Sequence, residues 1–142
     1  MAAWAIIEND GKVLFVQRSA SKSRSLQWCL PGGSIHINER PEDGCAREVR
    51  EEVGLELEGI RLQTLMHGNY YFLCTLVNSD QPVQLKITEC CRYRWVEPER
   101  IFELGQVMDA RMIVSALRAS GFSVYYPSAI FNELQLDSLS VR

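Results

Sequence analysis

The spacing of apolar and polar positions changes along this chain, and the changes mark its elements. Ala2 to Ile7 and Lys12 to Arg18 are β-rich runs joined by Asn9-Asp10-Gly11, residues that tolerate the positive φ of a tight hairpin. Leu26 to Leu30 reads as a short strand stopped by Pro31-Gly32-Gly33. A helix is expected from about Pro41, whose missing N–H costs nothing at a first helical position, with Glu42 and Asp43 favouring the positive end of its dipole. Gly54 supplies its left-handed stop. Ile60 to Met66, Tyr70 to Val77, Val83 to Thr88 and Cys91 to Val96 read as further strands, with 78–82 as a hairpin loop. Ala110, Ile113, Val114 and Leu117 recur at helical spacing and predict a second helix, Ala110 to Ala119, with Asp109 as its cap and Gly121 as its stop. Strands mixed with two helices, without strict alternation, imply an α/β (α+β) domain in which a mixed β-sheet is flanked by helices.

Length and charge narrow the picture. A chain of 142 residues can bury a sizeable core, so one domain over 1–142 is expected, with 122–142 as a C-terminal extension that packs as a strand or as a homodimer contact. The net charge of -3 with no basic block argues against a nucleic-acid polymer as partner, since such binders neutralise phosphates with a positive footprint. The apolar start, Met1 to Ile7, lacks a preceding cationic segment and is too short for a leader or a membrane span. Cys29, Cys45, Cys74, Cys90 and Cys91 are odd in number and contain no Cys-x-x-Cys pair, which points to free thiols and a cytoplasmic setting.

The chemistry concentrates in the first helix. At about 100° per residue, Glu48, Glu51 and Glu52 share one arc of about 100°, beside an apolar stripe of Cys45, Val49 and Val53. Like charges at these spacings repel, a cost removed if the cluster holds a hard cation. Oxygen donors alone suit Mg²⁺ or Mn²⁺. The loop before the helix adds Glu39 and the pair Gly32-Gly33.

Gly33-x5-Glu39-x7-Arg47-Glu48-Val49-x-Glu51-Glu52-x-Gly54-Leu55 resembles the Nudix box at every fixed position, and the lead-in Trp28-x-Leu-Pro-Gly-Gly33 is similar too. The resemblance implies an α/β/α sandwich and hydrolysis of a diphosphate linkage in a nucleoside diphosphate derivative. It implies Glu48, Glu51 and Glu52, with the Gly32 carbonyl, as ligands of Mg²⁺ (or Mn²⁺). Arg47 would orient the carboxylates, while Gly33, Glu39 and Gly54 shape the scaffold. The metal would neutralise diphosphate oxygens and acidify a water that attacks phosphorus. For the general base, Glu48 comes first and Glu89 second, because Glu89 stands six residues before Trp95, as in many relatives.

Candidates for reading a small nucleotide substrate each compete with a plain structural role. Arg18 at a strand end suits a phosphate, whereas Lys22 and Arg24 are expected to face solvent. Trp28 and Tyr71 offer faces to a base, and Tyr70 and Tyr71 lie near a tyrosine that marks dinucleoside-polyphosphate hydrolases in the family. Asp109 falls where MutT-like relatives read a purine, though its plain role as a helix cap explains it fully. His36 and His67 lack metal-ligand spacing, and no Gly-x4-Gly-Lys loop occurs. A (deoxy)nucleoside triphosphate giving the monophosphate is the first expectation, followed by dinucleoside polyphosphates and nucleotide sugars. A non-catalytic nucleotide sensor is the reading from another class, at odds with four retained box glutamates. An isomerase would need a catalytic cysteine, and Cys29 sits in a strand pattern that makes it core.

Overall fold

Asp10 and Gly11 adopt φ of 55° and 76°, and they fold β1 (Ala2–Asn9) back on β2 (Lys12–Arg18) in the computed structural model, which describes residues 1–125. Pairing of the two strands is confined to the turn end, Glu8 with Val13 and Asn9 with Lys12. Beyond it they part, and two short strands fill the opening. β3 (Trp28–Cys29) pairs with β2, and β4 (Gly32–Ser34) pairs with β1. The expected strand from Leu26 to Leu30 is thus cut to two residues, because the chain must cross from one strand's edge to the other's. β4 was not anticipated; its glycines carry no strand propensity.

The helix α1 (Pro41–Val53) ends on Gly54 at φ 69°, as its sequence predicts. β5 (Leu57–Met66) and β6 (Asn69–Leu76) form a hairpin, and β6 runs parallel to β1. β7 (Cys90–Val96) then pairs antiparallel with β2 on the far side, so the seven-stranded sheet is mixed. A 3₁₀ turn (Pro98–Glu103) leads to α2 (Ala110–Ala119).

Strand alternation divides the core into two layers. Ala3, Ala5 and Ile7 of β1, Leu14 and Val16 of β2, and Phe72 and Cys74 of β6 pack with Cys45, Val49 and Val53 of α1. On the other face Ile6, Val13, Phe15 and Tyr71 pack with Ile113, Val114 and Leu117 of α2. The result is the α/β/α sandwich that the sequence implied.

Val83 to Thr88 forms no strand, which corrects the expectation from its alternation. The alternation is real, with Val83 and Leu85 turned to the core. Its backbone, however, serves α1: the Gln84 N–H donates to Val53 O at 2.8 Å and the Lys86 N–H to Glu52 O at 2.9 Å. These are carbonyls that a helix end leaves without internal partners. Asp109 also departs from expectation. It stands at the N-cap position of α2, but its side chain makes no cap bond, at a backbone φ of 52°. Of the 122–142 extension, Phe122 and Val124 pack against the α2-side core, and residues 126–142, with any strand or dimer contact, lie outside the described residues.

Gly32 is where the fold tolerates no side chain. At φ 153°, a Cβ would run into the Ala3 carbonyl and the Trp4 backbone of β1. Gly11, also at positive φ, has open space around it. Gly11→Ala should therefore cost only about 1 kcal/mol in thermal or urea unfolding, the strain of a left-handed residue. Gly32→Ala should cost several times more, and equal costs would contradict the close approach of β4 to β1.

Candidate active site

A cleft of about 360 Å³ opens where β1 and β2 part. Glu48, Glu51 and Glu52 of α1 line one side, with the backbone of Gly32, Gly33 and Ser34 beneath them. Arg18, Lys22, Lys86 and Glu89 line the other, and Trp4 and Ala2 complete the wall. The cleft therefore sets an acidic wall against a mainly basic one.

Arg47 organises the acidic wall. Its Nε and Nη2 donate to the two Glu39 carboxylate oxygens at 2.8 and 3.1 Å, its Nη1 donates to Glu48 at 3.1 Å and Glu51 at 3.2 Å, and Nη2 also reaches Ser34 O at 2.9 Å. The planar fork of a guanidinium suits such multiple pairing, where a lysine would make point contacts. Glu39 also accepts the His36 N–H at 2.9 Å. The Arg47 bonds, and next the His36 N–H, hold the Glu39 carboxyl down at about 2.

Glu52 is held differently. Its Oε1 accepts the Gly32 N–H at 2.9 Å, and burial pushes its carboxyl up to about 8, with that N–H opposing and Glu48 and Glu89 adding repulsion. Glu48 is also raised, by burial first, against the Arg47 bond. Its carboxylate lies over Gly33, where an added Cβ would meet it at 2.8 Å. Gly33 and Gly32 thus let two glutamates lie directly on the backbone of β4. The Gly32 N–H engages Glu52, and its carbonyl remains a candidate ligand of the ion.

Among the described residues, no three His, Cys, Asp or Glu side chains already converge as a metal cage. The donors still fit Mg²⁺ or Mn²⁺. Such ions are typically held by a few carboxylates plus waters and substrate phosphates, and three carboxylates with raised or mutually repelling charge share this wall.

On the opposite wall, Lys22 Nζ lies 2.8 Å from Glu89 Oε2, and this pairing holds the Glu89 carboxyl below its usual range. Lys22 was expected to face solvent; the β2–β3 loop folds it over the cleft instead. Arg24 stays exposed as expected, while pairing with Asp109 at 2.8 Å. Arg18 reaches the cleft as expected, its guanidinium donating to Ser23 O at 2.7 Å.

Trp28 and Tyr71 do not line this cleft. They are 5% and 2% exposed and packed in the α2-side core. Tyr71 and Asp109 border a void of about 10 Å³. That is at the lower limit for a single water. The aromatic ring that reaches the cleft is Trp4, its indole N–H donating to Asn69 Oδ1 at 2.8 Å. Nothing in its spacing marked it, since it shares the face of β1 that carries Ile6 of the α2-side core. Lys86 was missed because its position depends on how 83–88 docks on α1. Cys29 is buried, and burial pushes its thiol up to about 12, so it is inert as a nucleophile.

The sequence profile of the NUDIX domain matches residues 1–116. A MutT-like protein of Streptomyces ambofaciens is 29% identical over 122 residues, spanning 84% of this chain and 77% of that protein. An RNA pyrophosphohydrolase of Pseudomonas fluorescens (strain SBW25) is 30% identical over 130 residues, 72% of this chain and 78% of that one. Among solved structures, a NUDIX hydrolase from Nitrosomonas europaea superposes with a TM-score of 0.71 at 22% identity, covering 91% of this chain and 93% of that one.

Glu39 binds its proton more weakly folded than unfolded. Its contribution to stability is therefore complete above its ordinary value of 4.5 and is lost as pH falls towards about 2. Glu39→Gln should lower Tm at pH 7, and the gap from the parent should close across that window. A gap independent of pH would show that the Arg47–Glu39 pair does not carry the loop.

Proposed function

The chain belongs to the NUDIX family, and on that premise we propose that it hydrolyses a diphosphate linkage in a small nucleotide with Mg²⁺ or Mn²⁺, foremost in a (deoxy)nucleoside triphosphate, leaving the monophosphate. It is a pyrophosphohydrolase, an enzyme acting on acid anhydrides. The observation that carries the diphosphate reading is the cleft of mixed charge, lined by the three carboxylates and by Arg18, Lys22 and Lys86. A diphosphate bridging a cation and basic side chains needs both walls.

In this reading Glu48, Glu51 and Glu52 hold the divalent ion, which when bound supplies neutralisation of the diphosphate oxygens and a more acidic water. Arg47 keeps Glu48 and Glu51 aimed by charge-assisted bonds. The Gly32 N–H steadies Glu52. Arg18, Lys22 and Lys86 bind phosphate oxygens. Glu48 is the first choice to accept the proton of the attacking water, since its raised proton affinity suits a base. Glu89, across the cleft, is the second. Trp4 replaces Trp28 and Tyr71 as the aromatic surface for the nucleoside.

No helix among the described residues is long and apolar enough to cross a membrane. All five cysteines are free; a cytoplasmic setting and one domain over 1–142 are part of the same proposal.

The test is initial rates over a broad panel of nucleoside triphosphates, dinucleoside polyphosphates, nucleotide sugars and 5′-triphosphorylated RNA, with Mg²⁺ or Mn²⁺ and with chelator. Chelation should abolish turnover and added ion restore it. Glu52→Gln should lower kcat/KM by more than about a hundredfold, beyond the loss typical of outer partners of a metal. Near-parental rates for this variant would sink the metal assignment. Absence of phosphate release across the panel would favour a non-catalytic sensor.

A further inference from the structure

Ser19 is the only buried polar or charged residue among the described residues, at 5% exposure. It closes β2 and reaches across 68 positions, its hydroxyl donating to Ile87 O at 2.5 Å and its N–H to Glu89 O at 3.0 Å. The Glu89 loop is held from the other side as well. The Glu89 N–H donates to Lys86 O at 2.8 Å, and the Lys86 N–H donates to Glu52 O of α1 at 2.9 Å. The backbone of Glu89 is therefore fixed between β2 and α1.

The backbone of Lys22 is fixed on the same strand end. Its N–H donates to Ser19 O at 3.1 Å, and the next residue, Ser23, is gripped through its carbonyl by Arg18 at 2.7 Å. What remains free between the two anchored backbones is side chain. The ammonium of Lys22 and the carboxylate of Glu89 meet at 2.8 Å inside the phosphate-accepting cleft, each about one third exposed.

An ion pair this exposed is weakly held. A diphosphate brings more negative charge than one carboxylate, and the four-carbon stem of a lysine can swing without backbone movement. We infer that Lys22 is an exchanging latch: it pairs with Glu89 in the empty cleft and transfers to the substrate's phosphate when one binds, which frees Glu89 to face the reacting centre. Ser19 is the positioning residue that keeps both partners in register. While paired, Glu89 is a poor proton acceptor, held below the usual carboxylate range, so the latch also ties the base strength of Glu89 to occupancy of the cleft. The inference rests on the proposed reaction for its meaning, but its test does not require turnover.

Binding of inorganic pyrophosphate, followed by calorimetry in Mg²⁺ buffer, tests the exchange in a double-mutant cycle. Lys22→Met should weaken pyrophosphate roughly tenfold, the size of one lost charge-assisted contact, and Lys22→Arg should restore most of it. Glu89→Gln should tighten pyrophosphate several-fold by removing the competitor for Lys22. That gain should vanish when Lys22 is already methionine. An unchanged affinity in Lys22→Met, or an equal gain from Glu89→Gln with and without Lys22, overturns the latch. Hydrolysis by the parent alongside either of those results leaves the proposed function standing without it. The expected cycle in a parent that hydrolyses nothing leaves the latch standing and removes the function.

Discussion

Two of the three carboxylates of the acidic wall depend on one guanidinium. Arg47 spends its donors on Glu39, Glu48, Glu51 and the Ser34 carbonyl, so a single cation ties helix α1, the loop before it and strand β4 together. Three negative carboxylates on one helical arc would otherwise repel one another and splay into solvent. With Arg47 between them, two of the three are held to one cation, while Glu39 anchors the arginine. The interaction is local in sequence, within 13 positions, but its effect is tertiary because it fixes β4 against α1.

Glu52 escapes this arrangement, and its position follows from the sheet instead. β1 and β2 separate beyond their turn, and the chain crosses the opening through Leu30 and Pro31 to bring Gly32 under α1. There the Gly32 N–H is the hydrogen-bond partner of a carboxylate whose proton affinity burial has raised. A buried carboxylate beside other carboxylates is an expensive arrangement for a protein without a counter-ion. Its retention is understandable where a divalent cation supplies the missing positive charge. The stability lost to the crowded acids and the activity gained from them are two consequences of the same geometry.

How much of this could be read beforehand depended on the range of each interaction. Helix α1, its Gly54 stop and the shared arc of the glutamates follow from spacing within 14 residues, and they appeared where expected. So did the hairpin at Asp10-Gly11, whose backbone demands are local. Val83 to Thr88 misled because alternation reports which side chains turn inward but not what the backbone bonds to. Here the N–H groups of Gln84 and Lys86 go to the end of a helix. Trp28 and Tyr71 misled for the opposite reason: their residue types suit a nucleobase, but strand parity turns them to the α2-side core. Lys22 and Lys86 were unreadable because they reach the cleft through contacts between segments more than 30 positions apart.

The two walls differ in how firmly their charges are held. The carboxylates of α1 have short side chains tied to a guanidinium or to backbone N–H groups, on a helix packed by Cys45, Val49 and Val53. Lys22 and Lys86 carry long flexible stems, so much of the basic wall can follow its ligand. That division suits a diphosphate. The cation requires a rigid set of oxygen donors, because coordination geometry tolerates little error. The anion needs only charge brought to its oxygens, which lysines supply without fixed geometry. The acidic chain as a whole, at -3, therefore does not prevent polyphosphate binding. In the proposed reading attraction is generated locally, by three basic side chains and the cation assigned to the glutamates, over distances shorter than the screening length of physiological salt.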